Sequence, residues 1–164
     1  MEAIIRTAEL KDVDRILEII NHEIKYTTVV YDYNERTYEQ QKLWFDQKQL
    51  SKMPVIVAEL DGLVVGYGSY GIFRPWDAYR YSVEHSIYVD GAYRQAGLGK
   101  KMLEKLIAMA TEGGYHTMIA GIDASNEKSI AFHKKMGFLE VGTLKEAGYK
   151  FDKWLDLTFL QLFL

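Results

Sequence analysis

The chain has 164 residues, and its 48% hydrophobic and 13% aromatic content is enough to build one sizeable core. Its 20 basic and 23 acidic residues leave a net charge of -3, which gives no electrostatic reason to expect a nucleic acid or an anionic membrane as partner. The absence of cysteine excludes a disulfide scaffold, a thiolate metal site and a cysteine nucleophile.

The chain shows no linker and no targeting segment. Its first residues lack a basic leader, and no apolar run approaches the roughly 18 residues of a membrane span. Only two prolines, Pro54 and Pro75, interrupt the sequence, and no internal repeat is visible. We therefore expect a single domain over residues 1–164 of a soluble, cytoplasmic protein.

The first elements are a strand and two helices. Ile4 to Thr7 has the composition of a short strand, and apolar residues then recur at helical spacing from Val13 to Ile24. Thr37-Tyr38-Glu39-Gln40 fits a capping box, because the Thr hydroxyl and the Gln side chain can each satisfy one unpaired amide. The second helix is therefore predicted from about Tyr38 to Lys48.

A β-hairpin follows the second helix. Asp61-Gly62 lies between two β-rich runs, Val55 to Ala58 and Leu63 to Ile72. Both central residues of a tight hairpin turn need positive φ, which Asp and Gly tolerate. This segment predicts an antiparallel pair.

A parallel crossover comes next. Ser82 to Val89 has the composition of a strand, Leu98 to Ala110 that of an amphipathic helix, and Thr117 to Ile122 that of a further strand. A strand, a glycine loop, a helix and a strand in this order predict two parallel strands joined over one face of the sheet.

The end of the chain predicts a short helix and two strands. The helix runs from about Asn126 to Met136 and stops at Gly137, which tolerates the positive φ common after a helix end. Phe138 to Thr143 and Lys153 to Leu164 complete the sheet. The last strand is apolar on both parities, so we expect helices or a second subunit to cover both of its faces.

Two glycine clusters compete for a role in binding. Gly66-Tyr67-Gly68-Ser69-Tyr70-Gly71 fits the dinucleotide pattern but lies inside a strand. The dinucleotide motif requires a helix directly after its glycines, and none is predicted here. Arg94 to Lys100, which contains Gly97 and Gly99, lies between a strand and an amphipathic helix, where backbone amides suit a pyrophosphate. It matches neither a Walker loop nor a dinucleotide loop. A glycine-eased turn without a ligand is the alternative.

Two segments together resemble the GCN5-related N-acetyltransferase superfamily over nearly the whole chain. They are Arg94-x-x-Gly97-x-Gly99-Lys100 and Asn126-x-x-Ser129-Ile130-x-x-His133-x-x-x-Gly137-Phe138. Within the superfamily the chain is similar to the phosphinothricin and methionine sulfone/sulfoximine N-acetyltransferases. That similarity rests on Tyr70-Gly71-x-Phe73-Arg74-Pro75-Trp76, Val83 to Val89, and Gly148 to Leu157.

The resemblance implies an α/β fold with a mixed, mostly antiparallel central sheet, splayed parallel strands and flanking helices, the acyl-CoA N-acyltransferase fold. It also implies acetyl-CoA as donor, a small amino-acid-like amine as acceptor, and a homodimer. In the family the splayed strand pairs with the pantetheine arm and the glycine loop holds the pyrophosphate. The coenzyme-binding residues implied here are Ile87, Tyr88, Val89, Gln95, Ala96, Gly97, Leu98, Gly99, Lys100 and Asn126. Gln95-Ala96 departs from the usual basic-plus-glycine pair, which removes one positive charge from the loop.

Glu84 and His133 are the candidate catalytic residues. An amine is mostly protonated at neutral pH, so a nearby carboxylate can accept its proton. Glu84 lies among apolar neighbours that would raise its pKa, and it matches the family's glutamate on this strand. A solvated strand carboxylate is the alternative. His133 takes the place of a family tyrosine proposed as general acid, and it either acts as that acid or packs near the coenzyme.

Acceptor recognition is assigned to the connection before the fourth strand. A guanidinium fork suits a carboxylate, phosphinate or sulfone oxygen pair, although solvated loop arginines are the alternative. The resemblance adds a strand segment opposite and a lid after the first helix. The residues are Arg74, Pro75, Trp76 and Arg80, then Glu84, His85 and Ser86, with Thr27, Thr28 and Tyr31 in the lid.

No metal site is predicted, and two of the histidines and two of the tryptophans have no site role. His22, His85 and His116 share no metal-ligand spacing, so no metal is expected. His22 and His116 are interpreted as surface or packing residues. Trp44 and Trp154 are assigned to the core.

Three functions follow from these patterns. The first is an acetyltransferase for a small amino acid analogue such as phosphinothricin, methionine sulfone or methionine sulfoximine. The second keeps this chemistry but uses a polyamine, an antibiotic or a protein amino terminus as acceptor. The third is a coenzyme-A-binding module without turnover. Glu84 favours an enzyme, and a cationic wall at Arg74 disfavours polyamines.

Overall fold

A computed structural model of the chain describes residues 3–94 and 96–164. Within those ranges the chain forms seven strands and four α-helices. In chain order they are β1 (Ile4–Thr7), α1 (Val13–Tyr26), α2 (Tyr38–Leu50), β2 (Val55–Leu60), β3 (Leu63–Ile72), β4 (Ser82–Val89), α3 (Leu98–Glu112), β5 (Thr117–Asp123), α4 (Glu127–Lys135), β6 (Leu139–Lys150) and β7 (Lys153–Phe163).

The strands form one mixed sheet in the order β1-β2-β3-β4-β5-β7-β6. All neighbouring pairs are antiparallel except β4 and β5, which run parallel. The predicted mixed, mostly antiparallel α/β fold is thus confirmed. The parallel pair is the one joined through the glycine loop and α3, because such a connection must cross one face of the sheet.

Local signals in the sequence form as expected. Asp61 and Gly62 have φ of 50° and 82° in the turn between β2 and β3, as a tight hairpin requires. At the start of α2, the Gln40 amide donates to the Thr37 hydroxyl and the Thr37 amide donates to the Gln40 side chain, at 3.2 and 2.9 Å. Gly137 has a φ of 95° just after α4.

Helices cover both faces of the sheet. On one face α3 packs an apolar stripe over β3 and β4, and α4 lies against β5; the buried cluster on this face includes Met102, Leu103, Leu106, Met118, Phe138 and Leu160. On the other face α1 and α2 pack over β2 and β3 through Ile16, Ile20, Ile24, Phe45, Val55, Val57 and Tyr67. Side chains on the two faces of β4 therefore lie on the sides of the sheet covered by different helices.

The strand β6 is much longer than predicted. It runs to Lys150 instead of stopping near Thr143, and its pairing with β7 shifts register between Glu140 and Gly142 and between Leu144 and Gly148. These irregularities break the alternation of apolar and polar residues by which a strand is recognised. The turn that ends it, Phe151 and Asp152, uses positive φ of 52° and 56° without a glycine.

Trp154 does not belong to the core, contrary to the prediction. Its side chain is 62% exposed and packs edge-on against Tyr149 of β6, with ring centroids 5.0 Å apart. Trp44 does pack on the core, against Tyr67 at 6.1 Å. The expected cover of β7 is partial, since Leu160 is buried but Phe159 is only half-buried.

Candidate active site

A gap opens between the parallel strands β4 and β5. The two strands pair only from Ser82 to Glu84 on β4 and from Thr117 to Ile119 on β5. Beyond this point each strand stays bonded on its other side, β4 to β3 and β5 to β7. The two halves of the sheet therefore diverge around a cleft lined by residues of β4, β5 and α4. The predicted splay of the parallel strands is confirmed.

Only alternate residues of β4 present backbone groups to the gap. The Phe73 amide donates to the Ser82 carbonyl and the Asp90 amide donates to the Val65 carbonyl, at 3.0 and 2.9 Å. Even-numbered residues of β4 therefore bond to β3, because strand backbone groups alternate between the two edges. Ile87 and Val89 point their amides and carbonyls toward the gap.

Tyr88 differs from its predicted role because it is an even-numbered residue. Its backbone faces Tyr67 of β3, so it has no free backbone amide for a ligand. Tyr88 is nevertheless among the residues that line the gap, and its ring packs against that of Tyr67 with centroids 5.1 Å apart. Burial raises the pKa of the Tyr88 phenol, which keeps the hydroxyl protonated.

The glycine loop ends at the amino terminus of α3. Gly97 precedes the helix with a φ of 74°, which is strained for any residue with a side chain. The amides of Leu98, Gly99 and Lys100 belong to the first helical turn, where no carbonyl inside the helix accepts from them. Ala96 is exposed beside them. The predicted contact of Gln95 lies outside the described residues.

An ion pair fixes this loop against α1. Arg94 bonds the carboxylate of Glu23 and donates to the Val89 carbonyl at 3.2 Å. The Glu23 side chain is only 3% exposed. Lys100 is mostly exposed, with its ammonium 3.7 Å from Glu104. The loop therefore has the positive charge of Lys100 at the surface beside its amides.

Asn126 lies where the gap meets α4. Its side chain caps the helix by accepting from the Ser129 amide at 3.2 Å, and it lines the gap. The residue is thus placed as the sequence predicted, beside the open length of β4.

Glu84 lies where the two strands separate. It is the last residue of β4 that pairs with β5. Its Oε2 atom would lie 3.2 Å from a β-carbon placed on Gly121, so the missing side chain of Gly121 leaves room beside the carboxylate. Burial raises the pKa of Glu84, and the charge of Arg74 opposes that rise. The predicted direction of the pKa shift is confirmed.

Aromatic rings line the approach to Glu84. Phe159 of β7 would lie 3.5 Å from the same Gly121 β-carbon, and its ring packs edge-on against Phe73 at 6.3 Å. The Arg74 guanidinium stacks 4.2 Å above the Phe73 ring. The structure thus brings Arg74, Phe73 and Phe159 to the same side of the sheet as Glu84.

The other predicted acceptor residues are of two kinds, because Pro75, Trp76 and Arg80 are exposed whereas Ser86 lines the gap. Pro75 and Trp76 are exposed, and Trp76 lies against Tyr79 with ring centroids 6.5 Å apart. Arg80 stacks instead on Tyr81, 4.8 Å above its ring. Ser86 lines the gap one strand period beyond Glu84.

His85 faces away from Glu84, because successive strand residues point to opposite faces. It is buried beside His133 of α4, with the two Nε2 atoms 3.0 Å apart. His133 Nδ1 lies 2.7 Å from the Ser129 carbonyl and His85 Nδ1 lies 3.2 Å from that of Ile119. The His85 side chain therefore lies on the opposite face from those of Glu84 and Ser86, although His85 still lines the gap, and its contact with the acceptor stays a prediction.

The two imidazole rings contact each other through their Nε2 atoms, so neither Nε2 atom is available to a ligand. The contact with the Ser129 carbonyl is the shorter of the two carbonyl contacts, so it assigns the proton of His133 to Nδ1. His133 Nε2 then accepts from His85 Nε2, and His85 Nδ1 carries no proton for the Ile119 carbonyl. Burial lowers the pKa of His85 to about 3, helped by the neighbouring His133, and burial also lowers the pKa of His133. In this arrangement His133 has no N–H directed at the gap.

The segment after α1 forms one wall of the gap. Val29 lines the cleft, and the Thr27 hydroxyl accepts from its amide at 3.1 Å. The Tyr31 hydroxyl lies 3.4 Å from the Asp156 carbonyl of β7. Thr27, Thr28 and Tyr31 therefore stand near the gap, as expected of a lid.

Sequence reasoning missed several residues of the site, among them Val29, Gly121 and Phe159. Gly121 had a usable signal, because a lone glycine inside a strand often marks a close approach. Phe159 had none, since any apolar residue of β7 could have packed in the core.

Neither a metal-binding group nor a membrane-spanning helix is found among the described residues. Among residues 3–94 and 96–164, no group of three or more histidines or acidic residues could hold a metal ion. In the same ranges no helix is both long and apolar enough to span a bilayer.

Known proteins are similar to this chain in sequence and in fold. Residues 5–159 match a family described as an acetyltransferase (GNAT) domain. The chain is 43% identical to the L-methionine sulfoximine/L-methionine sulfone acetyltransferase of Salmonella typhimurium, covering 96% of this chain and 92% of the relative.

Solved structures match equally closely. An N-acetyltransferase from Staphylococcus aureus Mu50 is 47% identical with a TM-score of 0.98, and the match covers 99% of each chain. A GNAT superfamily phosphinothricin acetyltransferase from Sinorhizobium meliloti, solved in complex with AcCoA, is 34% identical with a TM-score of 0.96. That match covers 100% of this chain and 89% of the other.

Proposed function

This chain belongs to the acetyltransferase (GNAT) family, and we propose that it acetylates the amino group of a small amino acid analogue. Methionine sulfone, methionine sulfoximine and phosphinothricin are the proposed acceptors, and the enzyme is an acetyl-CoA-dependent N-acetyltransferase. One observation carries the proposal. The half-buried carboxylate of Glu84 lies where β4 and β5 separate, at the closed end of the gap.

The residues around the gap fit acetyl-CoA. The backbone groups of Ile87 and Val89 are directed at the gap and would pair with an extended amide-bearing arm, as an added strand does. The amides from Gly97 to Lys100 would bind the pyrophosphate, and Asn126 would contact the arm. The coenzyme supplies an activated acetyl thioester when it is bound.

Glu84 is proposed as the base. It would accept the proton of the acceptor's ammonium group, directly or through water, and so free the nitrogen lone pair. A carboxylate with a raised pKa holds that proton better near neutral pH than an ordinary one. An amide of β4 at the gap would stabilise the developing oxyanion.

His133 is proposed to position other groups and not to donate a proton. Its two ring nitrogens are engaged by Ser129 and His85. A departing thiolate, with a thiol pKa of about 8.5, needs little help from an acid. The pair of imidazoles would instead support the wall of the gap from the α3 and α4 face.

Arg74, Pro75 and Trp76 are proposed to bind the acceptor's acidic group, with Ser86 opposite. The exposed guanidinium of Arg74 is held by stacking on Phe73 and by one hydrogen bond to the Phe73 carbonyl at 2.9 Å. Its remaining donors are available for a carboxylate, phosphinate or sulfone. Arg80 is a weaker candidate, because it stacks on Tyr81 at the far end of the turn.

A thiol-release assay with acetyl-CoA tests the proposal. The acceptor panel contains methionine sulfone, methionine sulfoximine, phosphinothricin, spermidine and a peptide. We expect turnover with at least one of the three amino acid analogues and little with spermidine. Turnover with the peptide alone would reject the acceptor class. The absence of heat on titration of coenzyme A would reject the enzyme assignment.

We also propose that the enzyme is a cytoplasmic homodimer. Support comes from the edge strand β6, which exposes Leu139, Val141 and Leu144, and from the nearby exposed Trp154. Unpaired edge strands with apolar residues commonly pair with another chain. Sedimentation of the purified protein measures its mass, and a monomer at micromolar concentration would contradict the proposal.

A further inference from the structure

The connection between α1 and α2 has no regular secondary structure of its own near the gap, yet it supplies part of the gap's wall. Val29 lies in this connection and lines the cleft. Something outside the connection must therefore hold its backbone in place. We refer to residues 27–31 as the wall segment.

Lys150, the last residue of β6, is the group that binds the wall segment. Its ammonium donates to three backbone carbonyls, those of Ile24, Thr27 and Val30, at 2.7, 2.8 and 2.6 Å. The residue is only 4% exposed. All three protons of the ammonium are thus used, and each bond goes to the end of α1 or to the wall segment.

Carbonyl groups replace the counter-ion that a buried cation needs. The ion pairs among the described residues do not include Lys150, and the charges of Asp32 and Glu23 act on it only at longer range. The carbonyl end of α1 offers partial negative charge where Ile24 lies. Burial lowers the pKa of Lys150. Deprotonation would turn one donor into a lone pair that faces a carbonyl, so the charged form suits this geometry.

Further contacts tie the same segment to the β6 and β7 hairpin. The ring of Tyr31 lies over Gly148, where an added β-carbon would lie 2.7 Å from the ring. Two residues after the wall segment, the Tyr33 hydroxyl donates to the Tyr149 carbonyl. Lys150 is the buried charged member of this set, and it binds on both sides of Val29.

We propose that Lys150 is a positioning residue for the acceptor site, which holds the wall segment against the gap so that Val29 meets the acceptor. This role rests on the proposed function, because it presumes that an acceptor amine enters beside Glu84. Ile87 and Asn126, proposed for the coenzyme's arm, line the same cleft as Val29, but they are held by β4 and α4, and the amides proposed for the pyrophosphate are held by α3. The Lys150 ammonium donates only to the carbonyls of Ile24, Thr27 and Val30, so its loss should weaken acceptor binding and leave coenzyme binding in place.

The test compares Lys150→Met with Lys153→Met. Methionine keeps an unbranched apolar side chain but removes all three donors, and Lys153 is an exposed lysine three residues away. For Lys150→Met we expect the acceptor KM to rise about tenfold or more, as misplaced binding groups cost in other enzymes. The dissociation constant for coenzyme A should change less than twofold. Lys153→Met should match the wild type in both.

A second variant moves the wall segment without touching Lys150. In Gly148→Ala the added methyl collides with the Tyr31 ring, so the acceptor KM should rise while coenzyme affinity stays the same. This variant decides the matter if Lys150→Met does not fold. An unchanged acceptor KM in a folded Lys150→Met protein, or in Gly148→Ala when the first variant is unfolded, overturns the proposal.

Amide hydrogen exchange separates this proposal from the proposed function. Lys150→Met should speed exchange in residues 27–31 and leave α3 unchanged, whether or not any acceptor is turned over. Wild-type protein that acetylates no amino acid analogue would refute the function alone. Unchanged exchange in residues 27–31 of Lys150→Met would refute the role of Lys150, even if the wild type is fully active.

Discussion

Replacing Gly121 with alanine tests whether Glu84 acts from the position described above. The new methyl group would lie 3.2 Å from Glu84 Oε2, and 3.5 and 3.6 Å from Phe159 and Leu157. The two longer distances are ordinary packing contacts. The shortest is tight enough that the carboxylate must move by a few tenths of an ångström.

The variant should lose activity without losing stability. A misplacement of 1 Å in an active site can cost about a hundredfold in rate, so we expect about a tenfold loss of kcat for this smaller movement. A tenfold loss corresponds to about 1.4 kcal/mol of activation free energy. Alanine inside a strand should meanwhile leave the free energy of unfolding unchanged or raise it by up to about 1 kcal/mol.

The pH profile gives an independent readout of Gly121→Ala. The methyl group displaces water from Glu84, which raises its pKa further because burial disfavours the charged form. Since the base must be deprotonated, the acid limb of kcat/KM should move to higher pH. The assay is thiol release at saturating acetyl-CoA across the pH range, with denaturant unfolding in parallel.

Gly91→Ala is the matched control, because nothing lies within 4 Å of its added β-carbon and its φ is not positive. It should resemble the wild type in rate, pH profile and stability. A Gly121→Ala protein with wild-type kcat and an unshifted acid limb would refute the placement of Glu84 as base. A loss of both stability and activity would instead indicate a distorted sheet.

Three further substitutions test separate parts of the site. Glu84→Gln should lower the rate at neutral pH by about two or more powers of ten while coenzyme affinity is retained, and an unchanged rate in the same assay would remove Glu84 as the base. Arg74→Gln should move the acid limb of kcat/KM to higher pH, because the charge of Arg74 lowers the pKa of Glu84; a fixed limb would mean that the two charges do not interact. Asn126→Ala removes the cap of α4 and should lower the free energy of unfolding by about 1 kcal/mol, measured by denaturant titration, and it should also weaken coenzyme binding. Asn126→Ser keeps a capping oxygen, so it should restore stability without restoring affinity, and recovery of both would limit Asn126 to a structural role.

Much of the site could be predicted from short stretches of sequence. The hairpin turn at Asp61-Gly62 and the start of α2 at Thr37 depend on interactions within four residues, so their chemistry is complete in the sequence itself. The same is true of Gly97, which supplies the positive φ before α3. Glu84 was found because its strand and glycine loop together match a family pattern, not because its own environment was visible.

Features that depend on distant partners could not be predicted. His85 meets His133 across 48 positions of sequence, and only the packing of α4 on the sheet brings their imidazoles together. Period-two alternation already separates His85 from Glu84, but no local signal says what each face meets. The exposure of Trp154 and the full length of β6 could not be predicted for a related reason. Register shifts interrupt the alternating pattern of this edge strand.

The sequence by itself determined the order of elements, the parallel crossover and the glycine loop, because these follow from local backbone preferences and side-chain periodicity. It indicated Glu84 as the base only through the match to a family pattern. The tertiary structure alone decided where β4 and β5 part, which backbone groups face the gap, and that Lys150 binds carbonyls between 120 and 126 positions earlier in the chain. Such contacts depend on the simultaneous packing of both sheet faces, and no short window of sequence contains that information.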